Sequence, residues 1–124
     1  MPVVLIVDDN DKNRKLAASL LSAAGFETIE AATGAEGVTL ATDRVPDVVL
    51  MDLRLPDMDG AEAARAIHAD GRAVGVPVVA MTALRLGGAD DWLEDAGFAG
   101  WLEKPIHVDT FAERVRGYCV DAPG

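Results

Sequence analysis

Four places in this 124-residue chain join an apolar run to side chains that can do chemistry. Val3–Val7 runs into Asp8-Asp9, Val48–Met51 into Asp52, Val76–Met81 into Thr82-Ala83, and Phe98–Leu102 is soon followed by Lys104-Pro105. Gathered at one edge of a fold, they would put three carboxylates, a hydroxyl and an ammonium in one cleft. Such a set is costly, since two carboxylates about 4 Å apart repel by roughly 4 kcal/mol at an effective dielectric of about 20. Three are tolerable only with a cation among them or with raised pKa values. Oxygen donors without His or Cys select Mg²⁺, Mn²⁺ or Ca²⁺. Mg²⁺ takes one or two carboxylates, keeps waters and completes its shell with a phosphate oxygen. An aspartate nucleophile beside such an ion, a lysine and a hydroxyl is a phosphoryl-transfer constellation.

Taken singly, each of these residues has an ordinary reading. Asp8, Asp9 and Thr82 suit helix caps, Asp52 a turn, and Lys104 a solvated surface. The chemistry therefore depends on the elements that carry them. Runs Val3–Val7, Val48–Met51 and Val76–Met81 are nearly continuous and Val-rich, as in parallel strands covered on both faces. Glu27–Ala31 and Phe98–Leu102 complete five expected strands.

Helical signals lie between the runs. Asp11–Ala24 carries Leu16, Leu20 and Ala23 with Ala17, Leu21 and Ala24 as one broad apolar face, stopped by Gly25. Thr33-Gly34-Ala35-Glu36 is a capping-box pattern opening a helix that ends before Pro46. Asp59-Gly60-Ala61-Glu62 opens another, with Ala63, Ala64 and Ile67. A fourth helix is expected within Leu86–Ala96, stopped by Gly97, and a fifth from about Val108 to Tyr118 with Phe111 and Val115 on one face. Strict alternation predicts an α/β fold, a three-layer doubly wound five-stranded parallel sheet of flavodoxin-like strand order 2-1-3-4-5. In such sheets ligands bind beyond the carboxyl ends of the strands, where the four acting segments lie.

Composition narrows the class. With half its residues hydrophobic, the chain has enough apolar content for one packed domain, expected over residues 1–124. Eleven Lys and Arg against 21 Asp and Glu give a net charge of −10, which argues against direct nucleic-acid binding. No apolar run approaches membrane-spanning length, and Met1-Pro2-Val3-Val4 has no basic region of a secretory signal. The single Cys119 fits a reducing, cytoplasmic setting and reads as a packing residue. His68 and His107 show no ligand spacing, and Trp92 reads as packing within the fourth helix.

Val4-Leu5-Ile6-Val7-Asp8-Asp9-Asn10, Val48–Gly60 (VVLMDLRLPDMDG), Val78–Ala83 (VVAMTA) and Leu102-Glu103-Lys104-Pro105 together resemble the receiver domain of two-component response regulators, of the CheY type. The resemblance covers nearly the whole chain, and Asn10-Asp11-Lys12-Asn13-Arg14 is similar to stand-alone regulators of the DivK kind. It implies a (βα)5 fold and a phosphorelay switch that takes a phosphoryl group onto Asp52 from a sensor histidine kinase, a histidine phosphotransfer protein or a small phosphodonor. Asp9, Asp8, Asp52 and the carbonyl of Arg54 would hold Mg²⁺, with Mn²⁺ or Ca²⁺ able to substitute. Thr82, Lys104 and the N–H groups of Arg54 and Ala83 would contact phosphoryl oxygens, and Pro105 would follow a cis peptide. Thr82 and Trp101 would switch the face formed by the fourth helix, fifth strand and fifth helix. The resemblance implies no enzyme beyond its own phosphorylation and dephosphorylation, and a monomer or weak dimer.

Two residues set a further expectation. Arg54 and Leu84 stand two positions after Asp52 and Thr82, where the family tunes hydrolysis of the aspartyl phosphate. Leu84 cannot hydrogen-bond water and Arg54 only donates, so slow autodephosphorylation is expected. Trp101 is larger than the Tyr or Phe expected of the family's switch ring, and Gly87-Gly88 suggests local freedom at the start of the fourth helix.

Other readings carry a mismatch. An aspartyl phosphatase of the haloacid-dehalogenase kind needs an acid two residues after its nucleophile, where this chain has Arg54. A flavodoxin needs a Ser/Thr/Gly-rich phosphate loop where this chain has Asp8-Asp9-Asn10-Asp11. A receiver cut from a hybrid kinase or larger regulator, and a phosphorylation-independent binding module, stay as alternatives. Met1 at the first strand and the short tail Asp121–Gly124 favour a complete chain.

Overall fold

The computed structural model describes residues 2–82, 96–104 and 106–119. Its strands are β1 (Val3–Val7), β2 (Glu27–Ala31), β3 (Val48–Asp52), β4 (Val78–Thr82) and β5 (Phe98–Glu103). Its helices are α1 (Asp11–Ala23), α2 (Gly34–Arg44), α3 (Gly60–Ala69) and the short C-terminal helix Phe111–Arg116. All strand pairs are parallel, in the order β2-β1-β3-β4-β5. The Val-rich runs are the inner strands, and every residue of β3 and β4 is buried.

Successive strand residues point to opposite faces, so the sheet carries two cores. Leu5, Val7, Val49, Met51, Val78 and Ala80 pack with Ala41 of α2 and Ala63, Ala64 and Ile67 of α3. Val4, Ile6, Val48, Leu50, Val79 and Met81 pack with Ala17 and Leu21 of α1 and Phe111 and Val115 of the C-terminal helix. The result is the expected three layers. Each large apolar side chain buried this way contributes about 1.5–3 kcal/mol relative to exposure.

The helix starts follow the sequence signals. The Asn10 side chain accepts from Asn13 N–H, Thr33 Oγ1 from Glu36 N–H, and Asp59 Oδ1 from Glu62 N–H. Gly25 adopts φ of 95°, the left-handed stop expected after α1, and Gly97 has a similar φ of 94° ahead of β5.

Four details differ from expectation. Leu16 is 40% exposed and Ala23 is exposed, because only Ala17 and Leu21 of α1 face the sheet squarely. Glu36 reaches back to Ala32 N–H, one residue before the cap, rather than to Thr33. β4 starts at Val78, since Val76 and Pro77 still belong to the connection. The C-terminal helix spans only Phe111–Arg116, and Thr110 gives it no side-chain cap. Ala83, Leu84, Gly87-Gly88, Trp92 and Pro105, with the fourth expected helix apart from Ala96, lie outside the described residues.

Candidate functional site

Strand register assembles the site. Val7 pairs with Met51, so Asp8 follows on β1 where Asp52 follows on β3. Asp52 in turn pairs with Met81, and Thr82 with Glu103. Thr82 thus closes β4 and Lys104 stands one residue past β5, all at the carboxyl edge of the sheet. Asp8, Asp52 and Thr82 are buried, at 1%, 8% and 4% exposure, while Asp9 is exposed. Asp9, Asp52, Arg54, Thr82 and Lys104 line one cleft of about 400 Å³.

Lys104 is the electrostatic hinge of this cleft. Its Nζ lies 2.9 Å from Asp8 Oδ2 and donates to Asp52 Oδ2 at 3.2 Å. Asp8 Oδ1 accepts from Asn10 N–H at 2.9 Å, and Asp52 Oδ1 from Arg54 N–H at 3.1 Å. Burial pushes the Asp52 carboxyl above its ordinary range, and Asp8 adds to the push, while Arg54 N–H and Lys104 pull the other way. Burial alone would lower the Lys104 ammonium, but the hydrogen bond to Asp8 and the field of Asp52 raise it.

The three aspartates fit a hard divalent cation. Asp8, Asp9 and Asp52 each offer a carboxylate oxygen, all within 4.8 Å of one another. Oxygens about 2.1 Å from an octahedral Mg²⁺ lie roughly 3 to 4 Å apart, a spacing close to that of the three carboxylates. Lys104 offsets only one of the charges, leaving a net negative cleft for the ion.

Trp101 pairs with Ala80 in the sheet and is half-buried against the α2–α3 core, away from the acid cluster. Its face is set by an irregularity near Ala99, where Val78 pairs with Phe98 but Val79 with Gly100. His68 Nε2 bonds the Val76 carbonyl at 2.8 Å, a structural tie. Cys119 is buried with its thiol toward the Val115 carbonyl, and burial raises its pKa.

Three residues that support the site carry weak signals in the sequence. Arg14, half-buried on α1, donates to the Asp8 carbonyl at 2.8 Å and to Glu30 and Asp11. Only its Asp11 pair, three residues away on one helix, is readable locally. Gly60 lets α3 approach β3: a Cβ there would lie 2.6 Å from the Asp52 carbonyl oxygen. Asp57 reads as a turn residue, yet it accepts from Gly34 N–H at 2.8 Å and Ala35 N–H at 2.9 Å across to α2.

Residues 4–116 match the family described as response regulator receiver domain. The chain is 37% identical over 119 residues to the polar-differentiation response regulator DivK of Brucella ovis, covering 96% of this chain and 97% of that protein. It superposes on the chemotaxis protein CheY4 of Vibrio cholerae with a TM-score of 0.89 at 28% identity, over 95% of this chain and 98% of that one. The receiver domain of sensor histidine kinase PA1611 from Pseudomonas aeruginosa PAO1, solved with magnesium coordinated in its active-site cleft, gives a TM-score of 0.85 at 31% identity, over 94% of this chain and 96% of that one. Among the described residues no helix is long and apolar enough to cross a membrane. With its sheet order, its acid-lined cleft and these relatives, the chain belongs to the response regulator receiver domains, the switch modules of phosphorylation-based two-component signalling.

Proposed function

We propose that Asp52 is the phosphoryl acceptor of this receiver, with residues 1–124 acting as one cytoplasmic unit. The observation that carries this reading is the placement of Asp52, buried at the cleft floor with Lys104 Nζ 3.2 Å from its Oδ2. A carboxylate so placed is held toward the cleft, where a phosphoryl donor would dock. Asp52 attacks phosphorus as the P–N bond of a phosphohistidine breaks, and the imidazole leaves with a proton from solvent. The donor is a sensor histidine kinase or a histidine phosphotransfer protein, and the protein works as a monomer or weak dimer without direct nucleic-acid binding.

Asp9, Asp8, Asp52 and the Arg54 carbonyl would hold Mg²⁺, or Mn²⁺ or Ca²⁺ in its place. When bound, the ion neutralises charge building on the transferred oxygens. Lys104 pairs with one phosphoryl oxygen, the Thr82 hydroxyl donates to another, and Arg54 and Ala83 add backbone N–H groups. The new group brings about −1.5 to −2 charge. Drawing Thr82 toward it opens space for Trp101 to turn, altering the face made by the fourth expected helix, β5 and the C-terminal helix. Driving such a switch from mostly off to mostly on takes about 5.5 kcal/mol. A few charge-assisted hydrogen bonds of roughly 1.5 to 3 kcal/mol each supply it.

The test is intact-protein mass after incubation with Mg²⁺ and acetyl phosphate. One added phosphoryl group is expected on the native chain, and none on Asp52→Asn or with Mg²⁺ chelated. Failure of both acetyl phosphate and a panel of phosphorylated histidine phosphotransfer proteins to label Asp52 would refute the reading. Likeness to the receiver domains of the kinases PA1611 and CckA favours a second reading, a receiver that works within a hybrid kinase. A native protein with a kinase core on the same chain would establish that reading.

A further inference from the structure

The loop between β3 and α3 carries Arg54, whose backbone the proposed site uses twice. It is tied at two places. At its base Arg54 and Asp59 form an isolated antiparallel bridge, and Gly60 N–H donates to the Leu53 carbonyl at 3.1 Å. At its tip Asp57 Oδ1 and Oδ2 accept from Gly34 and Ala35 N–H at 2.8 and 2.9 Å. Beside that contact the Met58 side chain sits where a Gly34 Cβ would be, so the tip packs directly on the first residue of α2 and a side chain at 34 would have to displace Met58.

These bonds reach 22 and 23 residues along the chain and spend a charged side chain on another element's first N–H groups. Thr33 accepts from Glu36 N–H and Glu36 ties the turn before it, which leaves the first two N–H groups of α2 to Asp57, so one carboxylate both completes the helix start and joins it to the loop. What the tie adds is a fixed loop tip. A six-residue segment from Arg54 to Asp59, pinned at its base and its tip, has little freedom to move the Arg54 peptide.

We propose that Asp57 is a positioning residue for the cation site, clamping the loop to α2 so that the Arg54 backbone is preorganised toward Asp52. The inference rests on the reading of the cleft as a Mg²⁺-dependent acceptor site. It adds a residue that touches neither cation nor phosphoryl group and acts from the opposite end of the loop. The same clamp links the state of the site to α2, on the sheet face shared with Trp101.

The test is titration calorimetry of the native chain with Mg²⁺ alone, beside Asp57→Ala, Asp57→Asn and Thr33→Ala, with thermal melts of each. Thr33→Ala removes an α2 cap and leaves the loop tie intact, so it reports what a weakened helix start does by itself. Asp57→Ala is expected to weaken Mg²⁺ binding by up to about tenfold, below the roughly 10–100-fold cost of losing a group bonded directly to a metal ligand. Asp57→Asn, which keeps one acceptor oxygen, falls between it and the native chain. Thr33→Ala keeps native Mg²⁺ affinity despite a lowered melting temperature. Unchanged affinity in a folded Asp57→Ala or Asp57→Asn would overturn the proposal, as would equal weakening in Thr33→Ala. A native chain that binds no Mg²⁺ would overturn the cation-site reading and this proposal with it, whereas a native chain that binds while the variants bind equally well overturns the clamp alone.

Discussion

Lys104 Nζ approaches Asp8 Oδ2 more closely, at 2.9 Å, than it approaches Asp52 Oδ2, at 3.2 Å. The lysine thus bridges two buried carboxylates from adjacent strands, and in the absence of a cation it is the main charge that keeps them together. Lys104→Met leaves both acids without it. Metal-free stability at neutral pH is expected to fall by about 3 kcal/mol, as when one partner of a buried pair is removed. Mg²⁺ should then stabilise the variant more than the native chain, because the ion replaces the missing charge. Urea melts with and without Mg²⁺ measure both effects, and equal Mg²⁺ stabilisation of the two proteins would contradict this account.

Gly60 is expected to tolerate no side chain. The atoms that a Cβ would meet are backbone, the Asp52 carbonyl oxygen at 2.6 Å and Leu53 Cα at 3.0 Å, and neither can swing aside. Gly60→Ala should cost about 1–3 kcal/mol, the usual price of overpacking. It should also slow phosphoryl uptake in the folded fraction, because the strain falls on the peptide of the acceptor. Thermal melts and intact mass after incubation with acetyl phosphate check the two parts separately.

Asp57 makes stability depend on pH in a defined direction. The N–H groups of Ala35 and Gly34 hold its carboxyl below the ordinary 3.8. A depressed folded value means that the carboxylate stabilises the fold above the unfolded pKa and that this contribution is lost as pH falls through the folded value. Asp57→Asn lacks the titration. The stability gap between the native chain and the variant should be full at neutral pH and shrink below pH 3.8. A gap in urea melts that stays constant from neutral to acid pH would show that the charge is immaterial.

Val45 closes α2 at φ 44°, a left-handed conformation that a β-branched residue adopts at a cost. The residue is 44% exposed, so little packing compensates. Val45→Asn should stabilise the protein by about 1 kcal/mol. For a chain of this size that is a rise of roughly 4 °C in melting temperature, which calorimetry resolves.

The exposed Arg54 side chain lines the mouth of the cleft. It can donate but not accept, so it cannot orient an attacking water through an acceptor atom. Arg54→Asn supplies that atom and should shorten the lifetime of the phosphorylated protein. Decay of the phosphorylated mass after removal of the donor is the readout, and an unchanged or longer lifetime would show that residue 54 does not set the rate of hydrolysis.

Much of the fold was legible because its signals are local. Val-rich runs mark strands buried on both faces, and Asn10, Thr33 and Asp59 mark helix starts through bonds made within three residues. Strand order and the grouping of Asp8, Asp9, Asp52, Thr82 and Lys104 followed from alternation, since parallel strands deliver their ends to one edge. Leu16 misled because hydrophobic periodicity marks a stripe broader than the sheet covers, and the last helix proved shorter than its pattern because Val108–Thr110 form a turn.

By itself, then, the sequence determined which residues could do chemistry and on which edge they would meet. Tertiary structure alone decided how they are held. Asp57 reaches Gly34 and Ala35, and Arg14 reaches Glu30, through contacts whose partners no local spacing predicts. The same is true of Trp101. Residues 98 and 101 would point to opposite faces of a regular strand, yet the register shift between Val78 and Val79 sets Trp101 on the same core as Phe98. A side chain's neighbours along the chain fix its local conformation, but its direction and charge environment come from elements that meet only when the sheet closes.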